Sequence, residues 1–366
     1  MGLAVFIVPM ILGCQKSPHE PTGWVQIAPA GENAWAIRVS DRDALGIIGH
    51  HQDAYTHIAG GDGIQVKTPR GMITLPNRAD TRCKGVRFAV LGDSRAEGPR
   101  VGPSAYWAGI LREIKGHTPD FILHTGDLVK DGRNSDEWAS YLKQTPAWPP
   151  VVPVRGNHDR GGLFENRLAV DTPVHFFRWG PVLFLGIDTE IDEADLESQL
   201  VQVEAILSAE KAAWRVVYLH RPIWSRGHHG SDERRWNKKL VPLFDRYRVD
   251  LVLAGHDHNY ERFCASRGLG ENRACSPRDG RIYVVTGGGA TFTNHFPGLA
   301  RSVEPDVAKK DRDSSLIFTG SRHFLMVDAS VSKLSVSVHR TRTGNVRPAA
   351  LIDQFEIRRS NGCDGV

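Results

Sequence analysis

His256 and His258 stand one residue apart in the stretch "LAGHDHNYER", directly after an apolar run. Imidazoles crowded in this way usually share a partner, and a metal ion is the usual one. Other side chains with metal-binding atoms close other apolar runs: Asp93 in "LGDSR", Asp127 in "HTGDLVKDG", Asn157 in "VRGNHD" and His220 in "WRVVYLH". Each signal is weak alone, since Gly and Asp suit turns whatever the function. The order carries the information: Gly-Asp, Gly-Asp, Gly-Asn-His-Asp, a strand-terminal His, then Gly-His-x-His. These carboxylate, amide and imidazole donors suit Fe, Zn or Mn.

Something must bring these six residues together. The runs "VRFAVLGD", "FILHTGD", "VVPVRGNHD", "VLFLGIDTE", "WRVVYLH", "VDLVLAGHDH" and "RIYVVTGGG" have the length and β-branched content of buried strands. Between them, "SAYWAGILREIKG", "SDEWASYLKQ", "ADLESQLVQVEAILSA" and "RRWNKKLVPLFDRY" space apolar residues as helices do. Strand-helix alternation predicts an α/β sheet with buried strands. Ligand sites in such sheets form at the C-terminal strand ends, where all six candidates fall. "HFLMVDAS" and "LSVSVHR" read as a closing hairpin, and residues 23–84 as an irregular β-rich extension before a main body spanning 85–360.

From Val86 to Arg358 the ordered set, with "LHRPIWSRGHHG" and "VVTGGGA", resembles the calcineurin-like metallophosphoesterase superfamily and, within it, the purple acid phosphatase branch. The resemblance implies an α/β, four-layer fold: a β-sandwich flanked by helices. It also implies two metal ions bridged by Asp127, with Asp93 and His258 completing the first ion's shell and Asn157, His220 and His256 holding the second. An activated water between the ions would then attack phosphorus in line. His158 would face the substrate and help protonate the leaving oxygen, steadied by Asp159. His229, with its neighbour His228, is expected either to face the substrate or to be an exposed loop histidine.

Two positions depart from the family pattern. Arg95 stands where many members have a ligand His, and Lys130 where purple acid phosphatases have a Tyr. The first ion therefore lacks one usual protein ligand, and the purple Fe(III) colour is expected to be absent. Arg95 either binds the substrate phosphate with its planar fork or pairs with Asp93 or Asp127. His124 and Asp131 flank the bridging carboxylate as supporting partners, unless His124 is simply a satisfied buried histidine. His323 is expected to pack, and Trp224 to wall the pocket or fill core.

The chain has 366 residues, 40% hydrophobic and 24% charged, with a formal charge of +4. That composition suits a globular body with a sizeable core and no low-complexity tract. The basic runs Arg234 to Lys239 and Lys309 to Arg312 lack interleaved aromatics, so solvated faces are expected and no nucleic-acid surface. Residues 1–22 read as a signal or lipoprotein segment, with "ILGC" placing a lipidated Cys14 before a polar tether, or else as a buried strand. Export to the bacterial cell envelope, membrane-anchored through Cys14, would suit the other four cysteines. A bridge could close the loop between Cys264 and Cys275 and leave Cys83 for Cys363; the alternative is four reduced thiols.

The resulting expectation is a binuclear metal-dependent phosphomonoesterase acting on a phosphoester substrate. A phosphodiesterase using the same site, or a degenerate envelope scaffold, are the alternatives.

Overall fold

The computed structural model describes residues 25–39, 55–59, 64–68, 71–79, 81–96, 101–266, 280–289, 315–343 and 349–360. The N-terminal segment with Cys14, the Cys264 side chain, Cys275, Cys363 and the run Lys309 to Arg312 lie outside this description. Cys83 is disulfide-bonded, to a partner whose side chain is among those outside it.

Strands β1 (Val25–Ala30), β2 (Ala34–Val39) and β3 (Tyr55–Ala59) form one antiparallel sheet, and β4 (Ile64–Thr68) pairs with β5 (Gly71–Leu75). The chain continues through β6 (Val86–Leu91), α1 (Trp107–Gly116), β7 (Phe121–His124), α2 (Ser135–Gln144), β8 (Val151–Pro153) and α3 (Phe164–Arg167). Then follow β9 (Val174–Trp179), β10 (Val182–Ile187), α4 (Leu196–Ala209), β11 (Trp214–Leu219), α5 (Lys238–Arg246), β12 (Leu251–Ala254), β13 (Tyr260–Ser266) and β14 (Gly280–Thr286). β15 (Ser315–Thr319), β16 (His323–Ala329), β17 (Lys333–Arg340) and β18 (Ala350–Arg358) complete the order.

The alternation read as one sheet divides between two. A six-stranded sheet runs β18-β17-β16-β6-β7-β8 and a seven-stranded sheet β15-β13-β14-β12-β11-β10-β9. Each has a parallel centre: β6, β7 and β8 in the first, β10, β11, β12 and β14 in the second. β16 pairs antiparallel with both β17 and β6, so the closing hairpin extends the first sheet. Aromatic rings hold the sheets face to face: Phe88 meets Phe184 edge-on at 5.0 Å, and Phe121 meets Phe177 at 5.3 Å. Outside, Trp107 of α1 packs on His124 of β7. On the other side, Leu196, Val203 and Leu207 of α4 and Leu240 and Phe244 of α5 cover Leu185, Val217 and Val252. The result is a helix-flanked β-sandwich, four layers deep.

The N-terminal sheet is tied to this body. Gly31 bridges to Phe177, and Trp35 packs edge-on against Trp179 at 5.5 Å. The Arg78 guanidinium lies over both indoles and donates to the carbonyls of Ala30, Ala34 and Arg178. A buried cation is tolerated there because carbonyl oxygens take its protons.

Candidate metal centre

The parallel strands of both sheets end on one rim. Asp93 follows β6, Asp127 follows β7 and Asn157 follows β8 in the first sheet; His220 follows β11, and His256 and His258 follow β12 in the second. The sandwich thus brings ligand-bearing turns from two sheets to a common point.

The local backbone explains why glycine precedes so many of these residues. Asp93, Asp127 and His256 adopt left-handed backbone with φ of 60°, 58° and 69°. Non-glycine residues at such angles cost roughly 1–2 kcal/mol each and persist where the surroundings over-determine them. The glycines supply closeness. A Cβ on Gly156 would lie 2.2 Å from Asp127 Oδ1, and one on Gly255 would lie 2.6 Å from Asp93 Oδ2. A side chain at either place would push the carboxylate out of the centre.

Two buried carboxylates fix the loop that carries Asp127. Asp159 accepts the backbone N–H groups of Asp127, Leu128, Val129 and Gly156. Glu137 of α2 accepts those of Lys130 and Asp131. Five successive amides, 127 to 131, are therefore taken up. Burial, then the charge of Asp127, pushes the Asp159 carboxyl up to about 8. Asp159 does not steady the His158 ring as expected: its oxygens serve the backbone, and His158 Nδ1 meets Lys130 O at 2.8 Å.

Asp93, Asp127 and His220, all buried, each present a donor atom, and these atoms lie within 4.8 Å of one another. His220 Nδ1 is 2.8 Å from Thr125 O, and a carbonyl can only accept, so Nδ1 carries the proton. His220 Nε2 then faces Asn157 Oδ1 at 3.0 Å, Asp127 Oδ1 at 3.4 Å and His256 Nδ1 at 3.2 Å. His258 Nε2 is 3.6 Å from Asp93 Oδ1. Lone pairs converging in this way require a cation or a proton between them. Burial works against protonation of His220, but Asp127, Asp93 and Glu190 outweigh it and hold its pKa above the usual imidazole range. Burial would raise the Asp93 carboxyl, yet the His258 hydrogen bond and the His220 charge keep it low. The donor chemistry fits metal ions: oxygen and nitrogen lone pairs, two carboxylate charges, and a second-layer carbonyl fixing one ring.

The remaining expected site residues are arranged around this core. Arg95 Nε is 3.2 Å from Asp127 Oδ2, the ion-pair alternative for that residue. The His158 backbone N–H donates to Asp127 Oδ1 at 3.0 Å. His229 is exposed and stacks on His256 with centroids 4.0 Å apart, and exposed His228 is its edge-on neighbour at 5.1 Å. Partial desolvation of its ring lowers the His229 pKa. His124 is buried, accepting Gly126 N–H at Nδ1 and meeting Ser94 Oγ through Nε2. His323 packs, bound to Ser321 O and Thr286 Oγ1. Trp224 joins the core beneath the helices, edge-on to Tyr283. Asp131 pairs with Arg133 at the surface.

Sequence reasoning missed Arg221. Its guanidinium holds buried Glu190 through two bonds, 2.8 and 3.2 Å, and its Nη1 lies 3.4 Å from His256 Nε2. Its place next to strand-terminal His220 was the available signal.

Residues 86–260 match the family model for calcineurin-like phosphoesterases. "Purple acid phosphatase 17" of Arabidopsis thaliana is 38% identical over 216 residues, 47% of this chain and 62% of that protein. "Probable inactive purple acid phosphatase 1", also of Arabidopsis thaliana, is 24% identical over 230 residues, 52% of this chain and 37% of that protein. The chain thus spans less than two thirds of these relatives' length. The fold is shared with a purple acid phosphatase from yellow lupin (Lupinus luteus) seeds: TM-score 0.63 at 18% identity, over 94% of this chain and 70% of that one. Over residues 86–260 the chain is thus similar to the calcineurin-like phosphoesterases, and the relatives it matches include purple acid phosphatases.

Proposed function

We propose that this chain is a binuclear metal-dependent phosphoester hydrolase, acting first on monoesters. The observation that supports this best is the convergence of side-chain oxygen and nitrogen atoms from Asp93, Asp127, Asn157 and His220 on one buried point. Asp93, Asp127 and His258 would hold one ion, and Asp127, Asn157, His220 and His256 the other. Such a pair acidifies water and neutralises charge on phosphoryl oxygens. The protein groups do the rest. With Nδ1–H given to Lys130 O, the His158 ring as imidazolium carries a second proton on Nε2, which it would pass to the leaving oxygen to end as the neutral Nδ1–H ring. Arg95 stays beside Asp127 and offers donors to the phosphoryl group, while His229 and His228 line the ester side.

The ions would be Fe, Zn or Mn. We also propose export and a membrane tether at Cys14; the Cys83 disulfide supports an oxidising compartment. A scaffold role has one point in its favour, the name of the relative called probably inactive. Metal content together with turnover of p-nitrophenyl phosphate and its bis ester tests the reading. At least one bound ion per chain and faster monoester turnover are expected. Faster bis-ester turnover would make it a diesterase, and absence of both metal and turnover would leave a scaffold.

A further inference from the structure

The segment "HDHNYER" has its two histidines at the metal centre, while the alternate residues Asp257, Asn259 and Glu261 are fully buried carboxylates and an amide with no part in the proposed chemistry. All three are bound up with one loop, Ser225–His229. Asp257 Oδ1 accepts the His229 backbone N–H at 2.8 Å, and Asp257 Oδ2 accepts the Ser225 hydroxyl at 2.5 Å. Ser225 Oγ in turn accepts the Gly227 N–H at 2.9 Å. Glu261 takes the Arg226 N–H on both oxygens, at 3.1 and 2.9 Å, and is itself held by Asn259 Nδ2 at 2.7 Å. The loop's amides at 226, 227 and 229 therefore end on two carboxylates, one of them through a serine. The approach is close enough to exclude a side chain: a Cβ on Gly227 would lie 2.3 Å from Asp257 Cγ.

The same loop carries His229, whose ring stacks on His256. Residues 256–259 form a bend that starts from the left-handed His256, so their side chains leave it in two directions. One side here meets the metal centre and the other meets the loop.

We propose that Asp257 and Glu261 are positioning residues: they clamp the Ser225–His229 loop so that the substrate-side His229 is held in register with His256. This rests on the hydrolase reading. Its consequence is that the segment delivering two ligands also sets where the ester contacts protein. Removing the clamp should free the loop without emptying the centre.

The test uses the full-length chain loaded with metal, as Asp257→Asn, the milder Ser225→Ala, His229→Ala and the Asp257→Asn/His229→Ala double variant. Hydrogen exchange of the 226–229 amides should quicken about tenfold in the two clamp variants, with metal content unchanged. kcat/KM for p-nitrophenyl phosphate should fall about tenfold in Asp257→Asn, and the double variant should be no worse than His229→Ala. Additive losses in the double variant, unchanged exchange, or metal loss matching the activity loss would each overturn the proposal. Should Asp257→Asn fail to fold, Ser225→Ala carries the exchange readout and a Ser225→Ala/His229→Ala double variant the coupling readout. If the wild-type chain hydrolyses no phosphoester, the hydrolase reading fails, and exchange alone then decides whether the clamp exists.

Discussion

His220 Nε2 and Asn157 Oδ1 lie 3.0 Å apart with the imidazole proton committed on the opposite side of the ring, to Thr125 O. Nε2 therefore meets Asn157 Oδ1 either through a second ring proton, which the carboxylates around His220 favour, or through a shared metal ion that takes that proton's place. Metal binding should therefore stabilise the folded chain. Titrating Mn, Zn or Fe into chelator-treated protein should raise Tm progressively, by the equivalent of about 2.7 kcal/mol when free metal reaches about a hundredfold over Kd. A Tm indifferent to all three metals would remove the centre.

Asp127→Asn should abolish turnover, by about a thousandfold or more, and leave far-UV circular dichroism unchanged. The substitution is isosteric, and Asn tolerates the left-handed φ of 58° at this position. The 127 amide keeps its Asp159 partner. His256→Ala should also abolish turnover. Because His256 has φ of 69°, His256→Asn is the cleaner comparison, separating ligand loss from backbone strain.

Arg95→Ala should chiefly weaken substrate binding, raising KM about tenfold, because a charge-assisted hydrogen bond contributes about 1.5–3 kcal/mol. The competing role is visible in the Nε contact with Asp127. Steady-state kinetics separate the two. A collapse of kcat at constant KM would mean that Arg95 serves Asp127 rather than the phosphate.

The site was legible where strand chemistry and turn chemistry coincide. Asp93, Asp127 and His256 each follow a buried run and a glycine, so both the rim and the close approach are spelled locally. Asp159 was not legible in role. A carboxylate one residue after His158 can serve a ring or a backbone, and only the path of the loop at 127–129 decides. The division into two sheets came only from the family resemblance, because strand-helix alternation is the same whether consecutive strands share a sheet or face each other. β1, with Pro and three small or polar residues in "VQIAPA", has little strand signal of its own and is held by pairing with β2. Glu190 and Arg221 lie 31 positions apart, and nothing in either local sequence announces their ion pair.

His323 should make the fold sensitive to acid. It is fully buried, with Nδ1 bound to Ser321 O and Nε2 to Thr286 Oγ1, and burial lowers its pKa to about 4. The unfolded chain takes up this proton near pH 6.5 while the folded chain resists it until about pH 4. The unfolded state thus binds more protons across that window. The resulting stability is complete above about pH 6.5 and is lost as pH falls, by about 1.4 kcal/mol per pH unit from this one group. Urea midpoints measured from pH 7.5 to 4.5 should show that slope, and His323→Gln should flatten it by about one proton while costing about 1–2 kcal/mol at pH 7.5. An unchanged acid slope in His323→Gln would mean that the ring is already protonated in the folded chain, which would require its bond to Thr286 to be made with the hydroxyl as acceptor.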